Sequence, residues 1–377
     1  MALFVDDSPA QQPPRRSGGA VVGTWALVLA AVLLFVLALL PTPYVIQVPG
    51  PVYDTLGEVT IRAEQVPLIE IPEERTYATE GSLNLLTVGT IGSPTRSVNW
   101  FELVLAWLDP SKAVLPLDYV YPPGYSVEES NEDNRILMEN SQQDAVAAAL
   151  RSLGYDFGFT VAVHSLIEDS PAEGALRPGD VLVSANGAPV SGLAGLRDAI
   201  AEHGAGSPMP FVVERDGESL TVTVTPELRE LQNEDGTSSE RAAIGVYLSI
   251  SYDFPVEVNI QLENVGGPSG GQIFALGIID KLTPGSLTGG EDVAGTGTID
   301  GTGDVGAIGG IVHKMFGARD AGARWFLAPV ENCAEVVGHV PEGLTVIAVD
   351  TLDDSLAALG SIRAGADAAS LPTCSAG

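Results

Sequence analysis

Positive charge is scarce in this chain of 377 residues, which has 18 lysines and arginines against 49 aspartates and glutamates. Nucleic-acid-binding proteins present basic faces to the phosphate backbone. The formal net charge of −31 therefore predicts that nucleic acid is not a partner. Of the 18 basic residues, only three are lysines, namely Lys112, Lys281 and Lys314, and fifteen are arginines. A lysine at a position that should be apolar therefore needs a chemical explanation.

Motifs for metals and cofactors are also lacking. The chain has two cysteines, Cys333 and Cys374, and neither a paired C-x-x-C nor an H-E-x-x-H motif, so we expect no metal site. The segment 301–306 fits G-x-G-x-x-G, but it lacks the preceding buried strand and the immediate helix of a dinucleotide site. We interpret it as a hairpin turn and expect no cofactor. The cysteines either form one disulfide or remain thiols, and the sequence leaves both possibilities open.

One long run, residues 18–40, carries no charge. At about 1.5 Å per residue it covers the ~30 Å hydrocarbon layer, and it ends in a poor cleavage site for a signal peptide. The run therefore predicts an uncleaved transmembrane anchor over 18–41. Arg15 and Arg16 precede it and the next positive charge is Arg62, so residues 1–17 are expected in the cytoplasm. The predicted localisation is a single-pass plasma-membrane protein whose folded domains are extracytoplasmic.

Short strands and turns dominate from residue 155 onward. Hairpin turns are indicated at Asn186-Gly187 and Asp216-Gly217, and a helix at 193–200. With Ser170-Pro171-Ala172 and the run L-R-P-G-D-V-L at 176–182, this order resembles a bacterial PDZ domain. The resemblance implies binding of extended protein segments by strand addition beside the helix at 193–200. It leaves open whether the domain captures substrate or gates an active site.

A glycine-rich turn at 266–271, G-G-P-S-G-G, places Ser269 between an alternating β-like run at 256–262 and an apolar helix. Proline suits the first turn of a helix, and glycines leave backbone amides unobstructed at the positive end of the helix dipole. Such amides can hold the oxyanion that forms when a hydroxyl attacks a carbonyl. The alternative is an ordinary serine N-cap. The candidate oxyanion donors are the amides of Gly267, Gly270 and Gly271.

Lys314 lies on the apolar face of a predicted helix that follows Gly309-Gly310. Ile311, Met315 and Ala318 share that face at helical spacing. Desolvation and the helix dipole should both lower the pKa of an inward-facing amine there. The neutral amine could then take the proton of a serine hydroxyl and return it to a leaving amine. The alternative is a lysine that reaches the surface. His313 is expected on the surface.

Four segments with conserved spacing resemble the proteolytic domain of Lon-type peptidases: Gly267-Pro268-Ser269-x-Gly271, Thr296-Gly297, Ile308-Gly309-Gly310 followed by Lys314, and F-L-A-P-V-E-N at 326–332. The resemblance implies that Ser269 is the nucleophile, Lys314 the general base and Thr296 a hydroxyl that orients the lysine. Gly266 and Thr298 stand where the family usually has acidic residues. No G-x-x-x-x-G-K-[ST] motif occurs, so the ATPase module of Lon is absent from the sequence.

These patterns predict an α+β protein with a transmembrane helix, a PDZ domain and a Lon-like domain. The expected function is an ATP-independent, membrane-anchored serine endopeptidase for unfolded or flexible extracytoplasmic proteins. The rival is a non-catalytic PDZ adaptor with a degenerate peptidase domain. Substrate identity, cleavage preference and oligomeric state stay open. The predicted divisions are a cytoplasmic tail (1–17), the anchor (18–41), a β-rich segment of unassigned type (42–141), the PDZ domain (142–230), the peptidase domain (240–363) and a C-terminal tail (364–377).

Overall fold

The computed structural model of the protein describes residues 18–122, 127–232, 238–263 and 265–374, and the side chains of its first helix from Val22 to Leu37. The predicted tail over 1–17 lies outside the described residues. The helices are α1 (Gly18–Leu39), α2 (Trp100–Trp107), α3 (Leu117–Val120), α4 (Val127–Ser152), α5 (Leu193–His203), α6 (Gly271–Leu282), α7 (Ile311–Asp320), α8 (Cys333–Val336) and α9 (Leu352–Arg363).

Twenty strands accompany these helices within the described ranges. The first ten are β1 (Tyr44–Asp54), β2 (Glu58–Ile61), β3 (Glu64–Pro67), β4 (Ile69–Glu70), β5 (Ser82–Ile91), β6 (Ala113–Pro116), β7 (Phe159–Leu166), β8 (Val181–Ala185), β9 (Ala188–Pro189) and β10 (Met209–Arg215). The others are β11 (Glu218–Val224), β12 (Glu227–Gln232), β13 (Ser238–Ala243), β14 (Val246–Tyr252), β15 (Asn259–Ile260), β16 (Asp292–Gly295), β17 (Thr298–Ile299), β18 (Val305–Gly306), β19 (Trp325–Pro329) and β20 (Thr345–Val349).

The transmembrane prediction is not upheld. Among the described residues, no helix combines the length and the apolar character that a membrane crossing requires. The predicted anchor over 18–41 and the single-pass plasma-membrane localisation are therefore wrong. The predicted α+β class is also wrong, because parallel and antiparallel strands share one sheet and give a mixed α/β structure.

That sheet has six strands in the order β20-β19-β16-β5-β1-β6. β5, β16, β19 and β20 pair in parallel, whereas β1 pairs antiparallel with both β5 and β6. Side chains alternate between its two faces. Leu85 and Leu327 join the core beneath α6 and α9, whereas Leu86 and Phe326 join the core beneath α7. The β-rich segment 42–141, whose type the sequence leaves unassigned, thus supplies three strands of this sheet, β1, β5 and β6.

A second sheet, β11-β10-β8-β7-β14, has its own core with α5. Its last strand, β14, pairs antiparallel with β7 along its whole length. The amide of Asp253, just after β14, donates to the carbonyl of Gly158, just before β7, at 3.1 Å. The chain therefore enters and leaves this module at neighbouring points. Within it, Asp180 from the predicted R-P-G-D turn is buried and forms an ion pair with Arg215 at 2.6 Å.

Two element predictions differ from the structure. The Ala-rich run over 142–153, which Gly154 follows, predicts a helix, but the helix observed there, α4, begins already at Val127. The strand predicted over 256–262 is reduced to β15, which pairs with β4, itself two residues long. The segment 301–306 does form a hairpin turn between β17 and β18, as predicted.

The two cysteines are bonded. Sγ of Cys333 lies 2.04 Å from Sγ of Cys374, so of the two possibilities left by the sequence the disulfide is the one formed. The bond joins the start of α8 to the C-terminal segment, where the amide of Ala348 on β20 also donates to the carbonyl of Pro372 at 2.9 Å.

Candidate active site

Ser269 lies in a tight turn directly before α6. Gly267 in this turn has a φ of +83°, a left-handed conformation that favours glycine. The first turns of α6 are fully buried, with Ile273 and Phe274 in the core. Ser269 itself is partly exposed. The turn therefore fixes a serine hydroxyl at the buried N-terminus of a helix while leaving it open to a substrate.

Lys314 reaches the serine from α7, on the other side of the turn. Its side chain is 2% exposed, and its Nζ lies 2.7 Å from Oγ of Ser269. The predicted apolar stripe is confirmed, because Ile311, Met315 and Ala318 are all fully buried. The lysine therefore does not reach the surface, and the two residues singled out from the sequence are in hydrogen-bond contact.

Thr296, at the end of β16, completes the group. Its hydroxyl is buried, lies 2.9 Å from Nζ of Lys314, and donates to the carbonyl oxygen of Ser269 at 2.9 Å. Since its proton is committed to that carbonyl, Oγ1 of Thr296 accepts an N–H from the lysine. The neutral amine, 2.7 Å from Oγ of Ser269, is then able to accept the hydroxyl proton through its lone pair.

Burial changes the protonation of the lysine. Desolvation lowers the pKa of Lys314 from 10.5 to about 7, because removal from water disfavours the charged amine. A substantial fraction of the amine is therefore neutral near pH 7. This is the protonation state that a general base needs.

The amides around Ser269 fall into two groups. The amide of Gly267 donates to the carbonyl of Asn134 at 2.9 Å, and that of Gly271 to the carbonyl of Pro268 at 3.3 Å. Across the described ranges, the amides of Ser269 and Gly270 have no hydrogen-bond acceptor. Of the three glycines predicted to support an oxyanion, Gly270 is thus the one whose amide donates no hydrogen bond within the described ranges.

Helix α4 packs behind the turn at 266–270, here called the nucleophile turn because it carries Ser269, the predicted nucleophile. The sequence does not predict this contact. The hydroxyl of Ser141 donates to the carbonyl of Pro268 at 2.8 Å, and the carbonyl of Asn134 accepts the amide of Gly267 at 2.9 Å. Ser141 is 4% exposed. The Ser141–Pro268 contact joins residues 127 positions apart, so no local motif could have predicted it.

One departure from the Lon pattern has a steric reason. A Cβ at Gly266 would lie 2.7 Å from Cβ of Asn134, so the acidic residue usual there would collide with α4. Gly266 therefore fits the close approach of α4 to this turn.

His313 is not a surface residue, so that expectation is wrong. It is 6% exposed, and its Nδ1 lies 2.7 Å from the carbonyl oxygen of Ser111. The loop between α2 and β6 covers it, a tertiary contact that helical spacing cannot reveal. Burial lowers the pKa of His313, and its ring faces this loop.

Two family models match the chain. A PDZ domain model matches residues 126–225, and a model of the Lon protease (S16) C-terminal proteolytic domain matches residues 263–360. The second match contains Ser269, Thr296 and Lys314. The first contains α4, which contacts the nucleophile turn.

Curated proteins and solved structures are also similar to parts of this chain. A Lon protease of Campylobacter concisus is 35% identical over 28% of this chain and 13% of its own length. A putative zinc metalloprotease of Mesorhizobium japonicum is 39% identical over 22% of this chain and 23% of its own length. The chain thus spans less than a quarter of either relative. The PDZ domain of an SdrC-like protein from Listeria monocytogenes covers 23% of this chain and 85% of its own, at 19% identity and a TM-score of 0.20.

Proposed function

We propose that this chain, which carries a PDZ domain and the proteolytic domain of a Lon-type serine peptidase, is an endopeptidase that works without ATP. Its substrates would be unfolded or flexible protein segments. The observation that supports this best is a buried amine, Nζ of Lys314, at 2.7 Å from the hydroxyl of Ser269.

In the proposed reaction, the hydroxyl of Ser269 gives its proton to the neutral amine of Lys314 as Oγ attacks the scissile carbonyl carbon. The oxyanion is then held by the free amides of Ser269 and Gly270. The ammonium passes its proton to the leaving nitrogen, which releases the first product and leaves an ester on Ser269. A water molecule attacks this ester with Lys314 again as base, and the alcohol of Ser269 is restored.

Flexible substrates follow from what the sequence contains. It has no ATPase module that could unfold a protein, so a folded domain would not deliver an extended segment to Ser269. PDZ domains bind extended segments by strand addition. We therefore assign the PDZ domain to the binding of such segments.

The test is hydrolysis of a disordered model protein such as casein by the full chain in the absence of ATP. We expect cleavage by the wild type and by the exposed-serine control Ser152→Ala, and none by Ser269→Ala or Lys314→Met. Binding without cleavage would instead favour the rival function, a non-catalytic PDZ adaptor. Cleavage that persists in Ser269→Ala would show that the nucleophile lies elsewhere.

A further inference from the structure

The outer edge of β14 is already occupied by a side chain. β14 is the last strand of its sheet, so one row of its backbone groups faces away from β7. Nδ2 of Asn140 donates to the carbonyl of Leu248 at 2.8 Å, and the amide of Ile250 donates to Oδ1 of Asn140 at 3.2 Å. One carboxamide thus makes both the donor and the acceptor bond that a neighbouring strand would make there.

Helix α4 follows this edge over the whole strand. The hydroxyl of Tyr247 donates to Asp133 at 2.7 Å near one end, and that of Tyr252 donates to Asp144 at 2.6 Å near the other. Asn140 lies between these two contacts. The helix therefore occupies the space in which an added strand would lie beside β14.

The same helix holds the nucleophile turn. Ser141, the residue after Asn140, bonds to Pro268, and Asn134 bonds to Gly267. With α4 in this position, Nζ of Lys314 is within 2.7 Å of Ser269. One rigid element is thus attached to the edge of the PDZ domain and to the turn that carries the nucleophile.

On the basis of the proposed function, we infer that an extended substrate segment and α4 compete for the edge of β14. The amide of Ile250 has one hydrogen to donate, so it cannot serve Asn140 and an added strand together. A segment that pairs with β14 displaces Asn140 and weakens the hold of α4 on the nucleophile turn. Coupling between two sites is reciprocal, so contacts that fix α4 at the turn also oppose strand addition.

Asn140→Ala tests this competition in two backgrounds. In Ser269→Ala protein, we expect the Kd for casein to fall at least threefold, because the internal occupant is weakened. In active protein, we expect kcat to fall at least threefold without a rise in KM. Asn131→Ala, which removes an exposed asparagine from the same helix, should change neither quantity. A Kd that is unchanged or higher in Asn140→Ala overturns the inference.

Ser141→Ala supplies the reciprocal measurement. Ser141 bonds to the nucleophile turn and not to β14, yet its loss should also lower the Kd for casein in the Ser269→Ala background. Ser141→Thr, which keeps the hydroxyl, should restore the wild-type Kd and kcat. An unchanged Kd in Ser141→Ala would show that the two attachments of α4 are independent and would refute the coupling.

A second substitution at Asn140 tests the same contact with a side chain of nearly the same size, which lowers the risk of misfolding. Asn140→Asp keeps the acceptor for the amide of Ile250 but sets a carboxylate oxygen against the carbonyl of Leu248, so it should lower the Kd at least as much as Asn140→Ala. The binding comparison needs no turnover. If wild-type protein fails to cleave casein, the proposed function fails while the Kd values still decide the competition.

Discussion

In the proposed reaction, the proton affinity of the buried amine of Lys314 sets the pH at which Ser269 can react. Burial lowers its pKa to about 7, and only the neutral amine accepts the proton of the serine. We expect kcat/KM for a short peptide substrate to rise with pH through about 7 and to level off above it. The measurement is a pH profile between about pH 5 and 9. A flat profile would mean that the amine does not act as the base.

The same residue should make the folded protein less stable than it could be. The pKa of Lys314 is about 7 when folded and 10.5 when exposed, so the unfolded chain binds more protons between these values. Stability therefore rises with pH across this window, and the burial penalty is fully present below about 7.

We therefore expect Lys314→Met to raise the free energy of unfolding near pH 7 by ~1 kcal/mol or more and to remove this part of the pH dependence. Chemical denaturation at several pH values measures both effects. Lys112→Met, at a partly exposed lysine paired with Asp109, is the control and should not stabilise the protein. If Lys314→Met is destabilising at pH 7, the amine is not held under a desolvation penalty.

Thr296 is proposed to aim the amine rather than to react. Thr296→Val keeps the shape but removes the hydroxyl that bonds to Lys314 and to the carbonyl of Ser269. We expect kcat to fall by about 10- to 100-fold with little change in KM, since small displacements of a catalytic group have effects of this size. Thr296→Ser should recover most of the loss. Equal losses in both variants would instead indicate a packing role for the threonine methyl group.

Among the helices and turns, the sequence predicts those that have a recognisable pattern within a short stretch of chain. The apolar stripe of α7 and the turn before α6 placed Lys314 and Ser269 correctly, because burial of one helix face imposes helical spacing. The first half of α4 is rich in polar and acidic residues and has no apolar stripe that would predict a helix. It packs through hydrogen bonds of Asp133 and Asn140 to β14. Such polar tertiary contacts leave no periodic signal.

The interface between α4 and β14 contains a carboxyl group that should respond to pH. Burial raises the pKa of Asp144 from 3.8 to about 6. Between these values the unfolded chain has released a proton that the folded chain keeps, so stability falls as pH rises from about 4 to 6. Above about 6 the loss is complete.

We therefore expect Asp144→Asn, which can still accept the hydroxyl of Tyr252, to stabilise the protein at pH 7 on the order of 1 kcal/mol. The gain should vanish below about pH 4. Asp156→Asn, at an exposed aspartate close by in the chain, should show neither effect. The measurement is the free energy of unfolding of both variants and the wild type at pH 4 and pH 7. If Asp144→Asn raised it equally at both pH values, the effect would not come from the titration of Asp144.

At the scale of the whole molecule, the PDZ module interrupts the peptidase fold. β16 pairs on one side with β19 and on the other with β5, so Asp292 lies beside Ser82 across 210 positions of chain. The sheet therefore extends beyond the predicted boundaries of 240–363 and beyond the family match over 263–360. Motif spacing places the predicted site residues within that match, but it cannot show which distant strands complete the sheet.

This arrangement predicts how the chain can be divided. A fragment of residues 240–377 lacks β5, β1 and α4, so β16 would lose a strand neighbour and α6 would lose the buried Leu83, Leu85 and Ala149 from its core. We expect it to show no cooperative unfolding and no labelling of Ser269 by a serine-directed phosphonate.

A variant that lacks only the PDZ strands and α5 should fold. Residues 158 and 253 are joined by a backbone hydrogen bond of 3.1 Å, so a short glycine–serine linker can replace residues 159–252 without straining the remaining sheet. We expect cooperative unfolding and measurable labelling of Ser269, slower than in the full chain because Asn140 has lost β14. Full-rate labelling of the 240–377 fragment would show that the peptidase core does not require the strands before the PDZ module. An unfolded deletion variant would show instead that the core cannot fold without residues 159–252.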